Sequence, residues 1–149
     1  MFPFMGRLLF CVFFTSMLAA CASTRMLSSN ALEAPATRLL AFQERTATSS
    51  GTLIVIRDSG FVGGGCYKSF WINGRLAARF DVGEKARFFV EPGELVLRVG
   101  WDPQGVGLCS NSQDQYTDRE TTLHPAEVKS FRIFTDSNAV LDIMRDDTK

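Results

Sequence analysis

The sequence predicts an all-β protein: a small antiparallel β-sandwich, Ig-like or an open barrel, of roughly seven or eight short strands. Three observations carry that prediction. From residue 51 onward apolar residues recur with period two rather than 3.6. Two tight-turn signals, Asn73-Gly74 and Pro92-Gly93, sit between alternating segments. After residue 50 no apolar helix pattern runs longer than two turns, which disfavours a parallel α/β fold.

Taken in order, Thr52 to Arg57 is a β-branched run suited to a buried strand. Tyr67 to Ile72 leads into Asn73-Gly74, a hairpin turn because both residues tolerate positive φ. Arg75 to Phe80 alternates, with Leu76, Ala78 and Phe80 on one face against Arg75 and Arg79. Glu84 to Val90 aligns Ala86, Phe88 and Val90. Pro92-Gly93 then turns the chain into Glu94 to Trp101, which aligns Leu95, Leu97, Val99 and Trp101. Tyr116 to Leu123 is polar, the composition of an edge strand or a loop. Val128 to Phe134 and Ala139 to Arg145 complete the set, with Phe131, Ile133, Leu141 and Ile143 at inward-compatible positions.

The globular part is therefore expected over residues 51–149. Residues 21–50 have the composition of a flexible tether, with Ser28-Ser29-Asn30, Pro35 and the run Thr46 to Ser50. Leu39, Leu40 and Phe42 interrupt it and suit a short strand or helical turn docked on the domain.

The chain has 149 residues with 16 basic and 16 acidic side chains. No basic block stands out, so a nucleic-acid partner is not expected, because such binding collects phosphate contacts on clustered Lys and Arg.

At the N-terminus, Arg7 supplies a positive start and Leu8 to Leu18 is mostly apolar. That run is shorter than the roughly 20 residues a membrane-spanning helix needs, but it suits the apolar core of a secretion signal over residues 1–20. Leu18-Ala19-Ala20-Cys21 closes it with small residues before a cysteine. These four residues resemble the lipobox of bacterial lipoproteins. The resemblance implies a diacylglycerol on the Cys21 sulfur, cleavage before that residue, and acylation of the new amino group. Several acyl chains together, palmitate-like in kind, hold a protein on a membrane stably where one holds it only marginally. Ala22 stands where an inner-membrane retention aspartate would be expected, so the implied address is the outer membrane, facing the periplasm.

Of four cysteines, the resemblance implies that Cys11 leaves with the signal and that Cys21 carries lipid. Cys66 and Cys109 remain, in an oxidising compartment, and their one possible pairing predicts a disulfide. A metal pair would want more ligands at close spacing, and a redox pair usually shows Cys-x-x-Cys.

The strand layout also resembles a diffuse group of small envelope lipoproteins with a short β-sandwich. The matching pieces are Leu53 to Arg57, Trp71-Ile72-Asn73-Gly74-Arg75, Gly83 to Val90 and Pro92-Gly93-Glu94. That group supplies no catalytic residues to carry over.

Other candidates point away from chemistry. The loop Gly60 to Gly65 lacks a following helix and a Gly-Lys-Ser/Thr, so it suits a flexible connection that lets Cys66 reach its partner better than a phosphate cradle. His124 is the single histidine and precedes Pro125 in a turn; no Gly-x-Ser-x-Gly elbow accompanies it. Asp146-Asp147 suits a solvated tail. No cofactor or metal and no enzyme activity is expected. One recognition surface is: the loop Trp101 to Ser112, pinned beside the glycine loop by the disulfide, with Phe61, Val62, Trp101, Val106 and Leu108 as an apolar centre. The expected function is that of a non-catalytic, membrane-anchored envelope lipoprotein that binds or scaffolds another envelope protein. The alternative is a periplasmic inhibitor or immunity protein against a toxin or lysozyme, its loop 102–112 entering the target cleft.

Overall fold

The computed structural model describes residues 22–60 and 64–147. Among the described residues nine strands form two packed sheets: β1 (Leu32–Glu33), β2 (Gly51–Arg57), β3 (Lys68–Ile72), β4 (Arg75–Phe80), β5 (Glu84–Val90), β6 (Gly93–Trp101), β7 (Tyr116–Leu123), β8 (Val128–Thr135) and β9 (Leu141–Arg145). One sheet runs β1-β5-β2-β8-β9 and the other β4-β3-β6-β7. The sandwich is all-β and not a closed barrel, as the period-two pattern predicts.

Alternation along the strands turns one side chain of each pair inward, and these meet in a single core. Its centre is a triad of phenylalanines, Phe70, Phe80 and Phe88, with ring centroids 5.3 to 6.4 Å apart. Leu53, Val55, Ile72, Leu97, Val99, Ile133 and Ile143 pack around it, each 2% exposed or less. The segment Tyr116 to Leu123 is a strand after all, at the edge of its sheet, which is why its composition is polar. It meets the edge strand of the other sheet through Thr117 Oγ1, which donates to the Leu141 carbonyl at 2.7 Å, and Arg119, which pairs with Asp142 at 2.6 Å.

Three expectations are corrected. The sandwich is not wholly antiparallel: β2 pairs in parallel with β8, and β1 with β5. Period two is the same for both ladder types, so alternation cannot tell them apart. The inward face of β4 does not include Leu76. The register with β3 slips between Phe70 and Trp71, where Phe70 faces Ala78 and Trp71 faces Leu76, leaving Ala77 as a bulge residue.

The third correction concerns residues 22–50, which are not a free tether. Ala34 N–H donates to the Lys85 carbonyl, Phe89 N–H to the Phe42 carbonyl, and Gln43 Nε2 to the Arg87 carbonyl. The segment thus satisfies the outer edge of β5 along much of its length. Leu40 and Ala41 donate to the carbonyl of the bulged Ala77, at 2.8 and 3.3 Å. The segment therefore spans from one sheet to the other and closes the seam between them. Ala31, Ala34 and Ala41 are buried, and ion pairs Arg25–Asp146 and Arg38–Glu84 fasten it. The folded unit includes residues 22–50 and does not start at 51. Composition misled because the attachment runs through main-chain groups and alanine, which carry little hydrophobic signal.

Candidate functional site

The strand directions sort the loops into two ends. At one end lie the termini of β2, β4, β6 and β8 and the starts of β3, β7 and β9; at the other lie the Asn73-Gly74, Pro92-Gly93 and His124–Glu127 turns.

The first end contains the disulfide. Cys66 and Cys109 are bonded, with S–S 2.02 Å and Cα atoms 5.4 Å apart. The bridge joins the approach to β3 to the loop after β6. On the loop-entropy picture it contributes roughly 3–4 kcal/mol. The loop it holds is well braced. Arg79 donates through Nε to Asp102 Oδ1 at 2.8 Å and through Nη2 to Oδ2, and Gln113 Nε2 donates to the Asp102 and Gly105 carbonyls at 2.8 and 3.0 Å. A short 3-10 turn, Gly107–Ser110, forms its tip. From this frame Val106 and Leu108 project into solvent, 82% and 86% exposed.

Trp101 does not join them. It follows the inward register of Leu97 and Val99 and lies over Lys68, whose Nζ is 2.9 Å from the ring centroid. The five expected members of the apolar centre are therefore divided: Val106 and Leu108 form an exposed tip, Trp101 lies half-buried at the end of β6 over Lys68, and Phe61 and Val62 lie outside the described residues. So does Cys21.

Beneath Trp101 the core ends in two inward cations that sequence reasoning did not single out. Arg57 continues the inward line of Leu53 and Val55, and Lys68 that of Phe70 and Ile72; the alternation that placed the apolar residues carried this signal. Arg57 Nη1 donates to the Cys66 and Phe80 carbonyls at 2.8 and 2.7 Å. Burial lowers the Arg57 guanidinium to a pKa of about 10, against the opposing pull of Asp81 and Glu84. Burial, reinforced by the neighbouring Arg57 charge, lowers the Lys68 ammonium to about 7. A partly neutral amine is a potential nucleophile, yet Lys68 is 2% exposed and roofed by an indole, which leaves a substrate carbon no approach.

His124 is exposed in the turn between β7 and β8, where its main-chain N–H donates to Glu127 Oε2 at 2.8 Å. Among the described residues no group of three or more His, Cys, Asp or Glu has metal-binding geometry. Asp146 is not part of a solvated tail; its carboxylate is 7% exposed and pairs with Arg25. Gly60 has a structural task, since a Cβ there would come within 3.0 Å of the Ser23 Cα. It gives the N-terminal segment room to pass.

The second end carries an open groove of about 760 Å³. Its walls are Leu39 to Glu44 of the N-terminal segment, the β3–β4 turn, and the end of β5 with Glu91. Leu40, Phe42 and Phe89 supply apolar surface, and Arg75, Glu44 and Glu91 supply charge of both signs. Leu40 is 45% exposed beside it. Without the docked segment this groove would lack a wall, and so its existence was not legible from strand patterning. Its exposed lining is about equally polar and apolar, and open concavities with a few converging charged groups are places where partners dock.

The chain matches no protein-family model and no curated protein.

Proposed function

We propose that this chain is a membrane-anchored envelope lipoprotein whose domain binds another envelope component without chemical turnover. The anchor reading comes from Leu18-Ala19-Ala20-Cys21 and the apolar run before it. The observation that carries the binding reading is the groove walled by the chain's own N-terminal segment. It is a concavity of mixed polar and apolar lining rimmed by Arg75, Glu44 and Glu91, at the end opposite Ser23. An anchored domain built in this way offers its groove away from the membrane, toward soluble or wall-bound partners.

The test is site-specific photocrosslinking in intact cells with Cys21 retained. A crosslinker at Leu40 should yield an adduct of discrete mass, and mass spectrometry should find fatty acyl groups on Cys21. An unmodified chain in the cytosol with reduced thiols would overturn the anchor reading. Turnover of a cell-wall or lipid substrate by the purified protein would overturn the non-catalytic one.

A further inference from the structure

The fold leaves almost no slack between the lipidation position and the domain. Ser23 N–H donates to the Thr135 carbonyl at 2.9 Å, Ser23 Oγ donates to the same oxygen at 3.2 Å, and Thr135 N–H donates back to Ser23 Oγ at 3.0 Å. Thr24 and Ser59 exchange two further main-chain bonds at 2.6 and 3.0 Å. Only Ala22 separates this anchorage from Cys21. Two residues of extended chain reach about 7 Å, so an acylated Cys21 holds the Thr135 end of the sandwich against the headgroup layer.

That end is also the disulfide end. Arg57, at the close of β2, bonds the carbonyls of Cys66 and Phe80, which ties the two sheets together there. The turn 136–140 after Thr135 shares a cleft with Trp101 and Tyr116, the residues that flank the braced loop. The loop's tip is Val106 and Leu108, both more than four-fifths exposed. From Pro103 to Gln113 the sequence carries no ionisable side chain apart from the bonded Cys109, so bringing this stretch against a bilayer strips water from no charge. The cross-link, the Arg79–Asp102 pair and Gln113 hold the two side chains outward in advance, which reduces the ordering that insertion would require.

We propose that the Cys66–Cys109 loop is a second membrane contact, with Val106 and Leu108 seated in the headgroup–acyl boundary beside the lipid on Cys21. The occupant of this apolar tip is the bilayer surface rather than a protein cleft. The inference rests on the anchor reading above. It restricts the orientation that a lipid alone would leave free, because two separated contacts hold an axis of the domain against the membrane where one contact holds only a point.

The experiment uses the full mature chain purified with its lipid, after mass spectrometry has reported the acyl groups on Cys21. Leu108→Cys, and separately Glu91→Cys at the groove end, carry a nitroxide label on vesicles of phosphatidylethanolamine and phosphatidylglycerol. Power saturation then compares collisions with oxygen, which concentrates in the bilayer, and with a water-soluble nickel complex. The expected result is an oxygen-to-nickel ratio several-fold higher at Leu108 than at Glu91; Val106→Cys should repeat it. Equal ratios on an acylated protein would overturn the orientation and leave the anchor standing. Shielding of Leu108 that appears only when envelope protein extract is added would assign the tip to a protein partner and equally overturn it. A chain with no acyl group would overturn the anchor reading and this inference together.

Discussion

Ser23 and Thr135, 112 positions apart, are joined by three hydrogen bonds in which Ser23 contributes both its amide and its hydroxyl. These three bonds tie the chain at Ser23 to the end of β8 and so make residues 22–50 part of the folded unit.

Removing that segment should therefore cost the domain its integrity. A chain starting at residue 51 would expose the outer edge of β5, strip the Ala77 carbonyl of the Leu40 and Ala41 amides, and remove Arg38 from Glu84. Urea unfolding should show a loss of several kcal/mol relative to a chain starting at residue 22, or no cooperative transition at all. A free tether would leave the midpoint unchanged. The smaller change Ser23→Ala removes two hydrogen bonds and should cost about 1–2 kcal/mol.

Gly60→Val offers a more local check. Its side chain would collide with the Ser23 backbone, the nearest atom to a Cβ at that position. Amide hydrogen exchange should then accelerate at Ser23, Thr24 and Ser59, while the Phe70–Phe88 core stays protected.

Reduction, or the double change Cys66→Ala with Cys109→Ala, should lower stability by roughly 3–4 kcal/mol. The loss belongs largely to the unfolded chain, so the strands should persist in circular dichroism. Exchange should rise at Val106 to Ser110, where the cross-link supplies most of the restraint.

Lys68 predicts a dependence on pH. Its folded pKa of about 7 lies below that of an exposed lysine. Between these values the unfolded chain binds the extra proton, so the lysine's contribution to stability improves as pH rises. The penalty is complete below pH 7 and fades as the pH climbs toward the ordinary lysine range. Lys68→Met should accordingly stabilise the protein most at pH 6 and progressively less by pH 10, measured as the difference in urea midpoint between variant and parent. A constant difference would mean that the Trp101 ring, not desolvation, sets the state of that amine.

At the centre, Phe88→Ala should cost about 3–5 kcal/mol, because two aromatic neighbours cannot both relax into the space it leaves.

Local pattern was a sound guide wherever a side chain's burial follows from its own strand. The alternation at Leu53 and Val55, at Ala86 and Phe88, and at Leu95 to Val99 located the core, and Asn73-Gly74 located a hairpin, since both residues do adopt positive φ, at 49° and 78°. Cysteine parity located the cross-link. The candidate site was less legible. Val106 and Leu108 are exposed as a tip, but Trp101, on the same loop's threshold, answers to the β6 register and turns inward over Lys68.

What the sequence determined by itself was the all-β architecture, the strands from residue 51 onward and the Cys66–Cys109 pairing, each a matter of short-range periodicity or of counting. Only the tertiary structure decided that β2 lies parallel to β8, that residues 22–43 close the seam, and that the groove and the disulfide loop occupy opposite ends. Those outcomes depend on main-chain donors and acceptors finding partners far along the chain. Every residue but proline carries the same amide, so nothing in its identity announces which distant carbonyl it will meet.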